Sequence, residues 1–170
     1  MRLYLMRHAQ PLTLNENSLL SSIGEDQVNQ VVVLLSQLCL DLEKVTVLTT
    51  KSPRAQQTGE IISHGLAISS DNVIQIPNVI GSGDAFLLAH LLYHIRKPTE
   101  KGRDEVIFVG HAPYFPLLIK HFTGAFKIDL SPSHCSLISL EGASESKGDW
   151  QRHWWLAPMP TTMEPAELLP

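Results

Sequence analysis

Two arginines and two histidines stand where side chains of their types can do chemistry. Arg7 and His8 close the apolar run LYLM, Arg54 follows KSP, and His111 sits between EVIFVG and Pro113. Ending an apolar run in two groups that are costly to bury asks for a reason. Guanidinium forks offer bidentate hydrogen bonds to phosphate oxygens and stay charged at physiological pH. A neutral imidazole can accept a phosphoryl group on nitrogen, while a second imidazole donates to the oxygens as charge builds. The set therefore suits phosphoryl transfer without a metal or other cofactor, a reaction carried mostly by positioning and electrostatics. Each residue alone has a plainer reading: surface ion pairing for Arg7 or Arg54, backbone hydrogen bonding for His111.

The elements that must position these groups are legible as periodicity. RLYLM, KVTVLTT, VIQI and EVIFVG read as short strands. Between them lie helical segments. The first runs from about Gly24 to Leu40, with Val28, Val31, Val32, Leu35 and Leu38 on one face and an S-x-x-E capping box from Ser22 to Glu25. The second opens at Ser52-Pro53, the third is DAFLLAHLLYHI, and the fourth starts near Pro113. CSLISL and DWQRHWWL read as two closing strands that pair as a hairpin. This order predicts an α/β fold, a three-layer α/β/α sandwich whose mostly parallel sheet has helices on both faces and closing antiparallel strands near the C-terminus. Ligands of such sheets bind beyond the carboxyl ends of the strands, where Arg7, His8, Arg54 and His111 all fall.

The chain of 170 residues is the size of one ordinary domain. Residues 1–156 are expected to form it, with 157–170, which holds four of the eleven prolines, as a poorly ordered or surface-draped tail. Hydrophobic residues at 44% and charged residues at 18% describe a globular chain. VVVLLSQLCL, the longest apolar stretch, is too short to span a bilayer, and the N-terminal residues do not read as a signal peptide, so a soluble cytoplasmic protein is expected. A formal net charge of −4 argues against nonspecific binding to nucleic acid or to an anionic membrane. Cys39 and Cys135 lie far apart without metal-ligand spacing and read as small core residues. His90 and His94, four apart on one helix, have a zinc-compatible spacing but no third ligand beside them, and read as helix-surface residues. Trp150, Trp154 and Trp155 read as core or edge packing.

Four segments together resemble the histidine phosphatase superfamily. LYLMRHAQ is similar to its R-H-G signature, with Ala9 in the glycine position; LSSIGEDQ to L-[ST]-x-x-G-x-x-Q; TKSPRAQQT to S-x-x-x-R-A-x-Q-T, with Thr50 for the first serine; and VGHAP to G-H-x-P. They occur in family order over roughly Leu3 to Leu118. The short length and the GSGD element look most like the branch of small phosphohistidine phosphatases typified by SixA. The resemblance implies a phosphohistidine intermediate on His8, with Arg7, Arg54 and His111 as the phosphate-binding groups.

It also makes Asp84 of GSGD the nearest candidate for a general acid, a residue that reads equally as the helix N-cap. His134, just before CSLISL, falls where the family places substrate-facing loop residues and is a candidate substrate contact. The implied substrate is a phosphohistidine, such as one on a histidine phosphotransfer protein of a signalling relay. Two other functions remain open at this point. One is a small-molecule phosphomonoesterase with the same site. The other is an inactive phosphate-binding module, to which the methyl group of Ala9 lends support.

Overall fold

The computed structural model describes residues 1–38, 40–79, 81, 83–124, 133–143, 148 and 150–156, the last four of these by their backbone alone. Cys39 and the expected tail at 157–170 lie outside the described residues. Six strands, β1 (Arg2–Arg7), β2 (Val45–Thr50), β3 (Val73–Ile76), β4 (Glu105–Gly110), β5 (Leu137–Glu141) and β6 (Gln151–Leu156), form one sheet in the order β3-β2-β4-β1-β5-β6. The first four in that order are parallel. β5 runs antiparallel to both β1 and β6, so the closing hairpin forms the far edge.

Alternation along the strands assigns side chains to two faces. Leu3 and Leu5 of β1, with Val106 and Phe108 of β4, pack under Leu87, Leu91 and Ile95 of α3 (Asp84–Arg96) and Leu118 and Phe122 of α4 (Tyr114–Thr123). Tyr4 and Met6, with Ile107 and Val109, face Val28, Val31 and Leu35 of α1 (Ser22–Gln37) and Ala55 and Ile62 of α2 (Pro53–Gly65). Helices thus cover both faces, as the continuous apolar runs of β1 and β4 require. Each fully buried leucine or valine of these layers contributes about 1.5–3 kcal/mol relative to exposure. Trp150 belongs to the first face and is almost fully buried.

The helix starts differ from the sequence reading in two places. The first helix is capped by Ser21 rather than Ser22: the Ser21 hydroxyl accepts the Gly24 N–H at 3.0 Å, and Ser22 is already helical. Glu25, the other half of the expected capping box, instead accepts from Gln57 of α2 at 2.8 Å. Ser52 occupies the N-cap of α2 with Pro53 following, but its side chain makes no capping hydrogen bond. Among the described residues, no helix is long and apolar enough to cross a membrane.

Candidate active site

The strand order determines where a cleft opens. β1 leads through α1 across β4 to β2, whereas β4 leads through α4 across β1 to β5. Since α1 and α4 lie on opposite faces, the two chains part at the carboxyl ends of β1 and β4, the switch point where open α/β sheets bind ligands. Arg7 ends β1 and His8 follows it; Gly110 ends β4 and His111 follows it. The His8 N–H donates to the Gly110 carbonyl at 3.0 Å, and the two imidazole centroids lie 5.1 Å apart, nearly edge to face.

His8 is 4% exposed and His111 5%. The His8 Nδ1 lies 2.8 Å from the carbonyl of Ala9, which can only accept, so Nδ1 carries the proton and Nε2 keeps the lone pair. That tautomer is the one a nitrogen nucleophile requires. Thr50, at the end of β2, places its hydroxyl 3.2 Å from the Nε2 of His111. Arg54, in the first turn of α2, donates from Nη1 to the Asn15 carbonyl at 3.1 Å; it makes no ion pair among the described residues.

The supports of this loop explain the remaining motif residues. The Ala9 N–H donates to the Thr58 hydroxyl at 3.1 Å, and that hydroxyl donates to the Arg54 carbonyl at 2.7 Å, fastening the His8 loop to the helix that carries Arg54. The Gln10 N–H donates to Gln27 at 3.1 Å, and the Leu20 N–H to Gln57 at 2.8 Å. At Gly24 a side chain would collide with the Gln10 carbonyl, so glycine lets α1 approach the loop. Thr50, Thr58, Gln27 and Gln57 were visible in the sequence as motif letters; what identifies them as supports is hydrogen bonding, of Thr50 to the His111 ring and of the other three to loop backbone.

Ala9, which stands in the family's glycine position, is fully buried in the apolar cluster of Met6, Val28, Ala55 and Cys135. It is not among the residues of positive φ, so its backbone needs no glycine.

Burial and neighbouring positive charge act together on the imidazoles. His8 is lowered from 6.5 to about 3, chiefly by desolvation, which overrides the opposing bond to Ala9; His111, Arg54 and His134 lower it further. His111 is lowered to about 4 by desolvation and then by Arg54 and Arg7. Burial and the facing Arg54 also lower the Arg7 guanidinium. The site therefore presents neutral imidazoles between two guanidiniums, an arrangement that favours a dianion.

His134 joins this group. Its ring centroid lies 5.5 Å from that of His8, and its Nε2 lies 3.1 Å from Nη2 of Arg7. Asp84 does not join it. Asp84 is exposed at the start of α3 and lines a separate open cleft of about 500 Å³ with Leu88, Leu117, Lys120 and His121. Nor does its side chain cap the helix: Gly83, with φ of 86°, is the N-cap, and Asp84 stands in the first turn, where a negative charge suits the helix dipole. His90 and His94 lie on α3 with ring centroids 4.6 Å apart, and no group of three or more metal-ligating side chains occurs among the described residues.

Neither a protein-family model nor a curated protein matches the sequence. Solved structures do match, and the fold they share with this chain is that of histidine phosphatases. It is similar to the protein histidine phosphatase SixA complexed with tungstate, with a TM-score of 0.73 and 19% identity over 93% of this chain and 97% of that one. A protein of Agrobacterium tumefaciens described as a phosphohistidine phosphatase SixA gives 0.66 and 18% over 92% and 97%. The phosphoserine phosphatase of Entamoeba histolytica, in complex with 3-phosphoglyceric acid, gives 0.63 and 10% over 93% and 98%. At these identities the likeness is one of fold.

Proposed function

We propose that the protein is a metal-independent phosphatase acting through a phosphohistidine on His8, and that its substrate is a phosphohistidine carried by a protein, such as a histidine phosphotransfer protein of a cytoplasmic relay. The observation that carries the chemistry is the fixed tautomer of His8. Its Nδ1–H is held by the Ala9 carbonyl, which leaves the Nε2 lone pair available on a ring 5.1 Å from that of His111 and within the field of Arg54.

In the first half-reaction the Nε2 lone pair of His8 attacks phosphorus in line as the bond to the leaving atom breaks. Arg7 and Arg54 bind the phosphoryl oxygens, and His111 donates to them as charge spreads over the transition state. Water then attacks the phospho-His8, releasing phosphate and restoring the imidazole. The buried Ala9 methyl removes the steric reason for a site that binds phosphate without turnover.

Two features support a protein phosphohistidine over a small ester. Asp84 lines a cleft whose lining includes none of the other candidates, so no carboxylic acid stands beside His8 among them, and an alkoxide leaving group asks for a stronger proton donor than an imidazole does. The loop that meets Arg54 through Asn15 also exposes Leu12 (70%), Leu14 (95%) and Leu19 (57%), an apolar lip suited to a protein surface. Turnover should be compared on a phosphohistidine-bearing protein and on a panel of sugar phosphates and phospho-acids. Preference for the protein is expected; preference for the esters would replace this substrate with a small molecule.

A further inference from the structure

We propose that His134 is the proton donor to the leaving group, the role expected of Asp84. The inference rests on the phospho-His8 reading above and adds a catalytic residue to it. His134 is the third imidazole of the cleft, with its centroid 5.5 Å from His8. Arg7 has no lone pair to offer, so the 3.1 Å contact is Arg7 Nη2–H donating to the His134 Nε2. His134 is thus neutral with its proton on Nδ1, and its basic nitrogen faces the group that binds phosphate.

The turn carrying His134 is fastened to the nucleophile loop. The Arg7 N–H donates to the Ser136 carbonyl at 3.1 Å, and the Cys135 N–H to the His8 carbonyl at 3.2 Å. Ser136 closes the turn on itself, its N–H and hydroxyl both donating to the Ser133 carbonyl. Cys135 takes φ of 61°, a left-handed conformation that costs a residue with a β-carbon of order 1 kcal/mol and persists where its surroundings impose it. These hydrogen bonds to β1 and to the His8 loop keep the His134 ring beside His8.

Among the described residues, the charged and titratable groups that act on His134 are Arg7 and His8 at the end of β1 and Arg54 on α2. Burial, then Arg7 and Arg54, lower His134 to about 4 while the site is free. A bound phosphoryl dianion reverses that field. Arg7 can turn its Nη2–H to a phosphate oxygen, and Nε2 of His134 can then take up a proton. As His8 attacks, the bond from phosphorus to the leaving atom breaks, and the proton on Nε2 passes to that atom. In the second step the attacking water returns a proton to Nε2 as its oxygen bonds to phosphorus and the bond to His8 breaks. For a departing imidazole, a donor that is itself an imidazole makes the transfer nearly balanced.

The test is the burst rate of phosphoenzyme formation for wild type, His134→Gln and His134→Asn, using p-nitrophenyl phosphate, whose phenolate leaves unprotonated, and phenyl phosphate, whose leaving group needs the proton. Gln retains an acceptor for Arg7 but cannot transfer a proton. Both variants should lose about 100-fold or more on phenyl phosphate and less than about fivefold on p-nitrophenyl phosphate. Equal losses on the two substrates in both variants, or no loss on phenyl phosphate, would assign His134 a positioning role or none. A wild type that forms no phosphoenzyme with either would overturn the phospho-His8 reading along with this one.

Discussion

Burying neutral histidines between arginines makes the protein sensitive to acid in a way the structure lets one size. The sign follows from the depressed values: His8 and His111 bind protons only near pH 3 to 4 when folded, but near the ordinary 6.5 when unfolded. Unfolding therefore takes up protons between about pH 6.5 and 4. The stability these groups leave intact at pH 7 is lost as pH falls through that window. Going from pH 7 to 5, each costs about 2 kcal/mol, so the pair costs about 4, with His134, less deeply buried, adding to it in the same direction. Against a total of about 5–15 kcal/mol that is a large fraction. Urea titrations at pH 7, 6 and 5 should show the midpoint falling by about 2 M at a slope near 2 kcal/mol per M. Saturating orthophosphate should reduce the fall, because a bound dianion supplies the missing counter-charge. Glu105, raised chiefly by burial, works in the opposite sense, and a His8→Asn/His111→Asn double variant isolates the histidine contribution by flattening the pH dependence. Stability unchanged between pH 7 and 5, or equal slopes in wild type and double variant, would refute buried neutral histidines as its source.

Arg54→Ala should lower kcat/KM on any phosphoryl substrate by roughly 100-fold, about 3 kcal/mol of transition-state stabilisation; unaltered turnover would take Arg54 out of the site. Thr58→Val strands the buried Ala9 N–H, which should cost about 1–3 kcal/mol in urea unfolding and reduce turnover as the His8 loop loosens. Stability equal to wild type would show that this hydrogen bond is not made. Ala9→Gly removes a buried methyl and frees the backbone, so it should lower stability by about 1–2 kcal/mol without raising turnover. A markedly faster enzyme would show that the methyl blunts catalysis after all.

What could be read from the sequence follows a physical division. Arg7, His8, Arg54 and His111 were legible because each stands at a strand or helix boundary, where topology alone sends polar groups to one rim of the sheet. The two apolar faces of β1 and β4 were legible from strand period. Asp84 misled because a Gly-Asp step marks a helix start without saying toward which cleft that start is turned. Ser21 and Ser22 are adjacent and chemically alike, and only the approach of Gly24 to Gln10 decides which of them caps. The supports Thr58 and Gln27 bond to loop backbone, and backbone groups carry no letter in a sequence. His134 required the turn geometry around Cys135 to show that it faces His8.

The central claim is that His8 carries the phosphoryl group. Brief incubation with a ³²P-labelled phosphoryl donor, followed by alkaline quench, proteolysis and mapping of the label, tests it most directly. Acid-labile, base-stable label on the peptide containing His8, absent in His8→Ala, is the expected result. Label on another residue, or turnover that persists in His8→Ala, would contradict it.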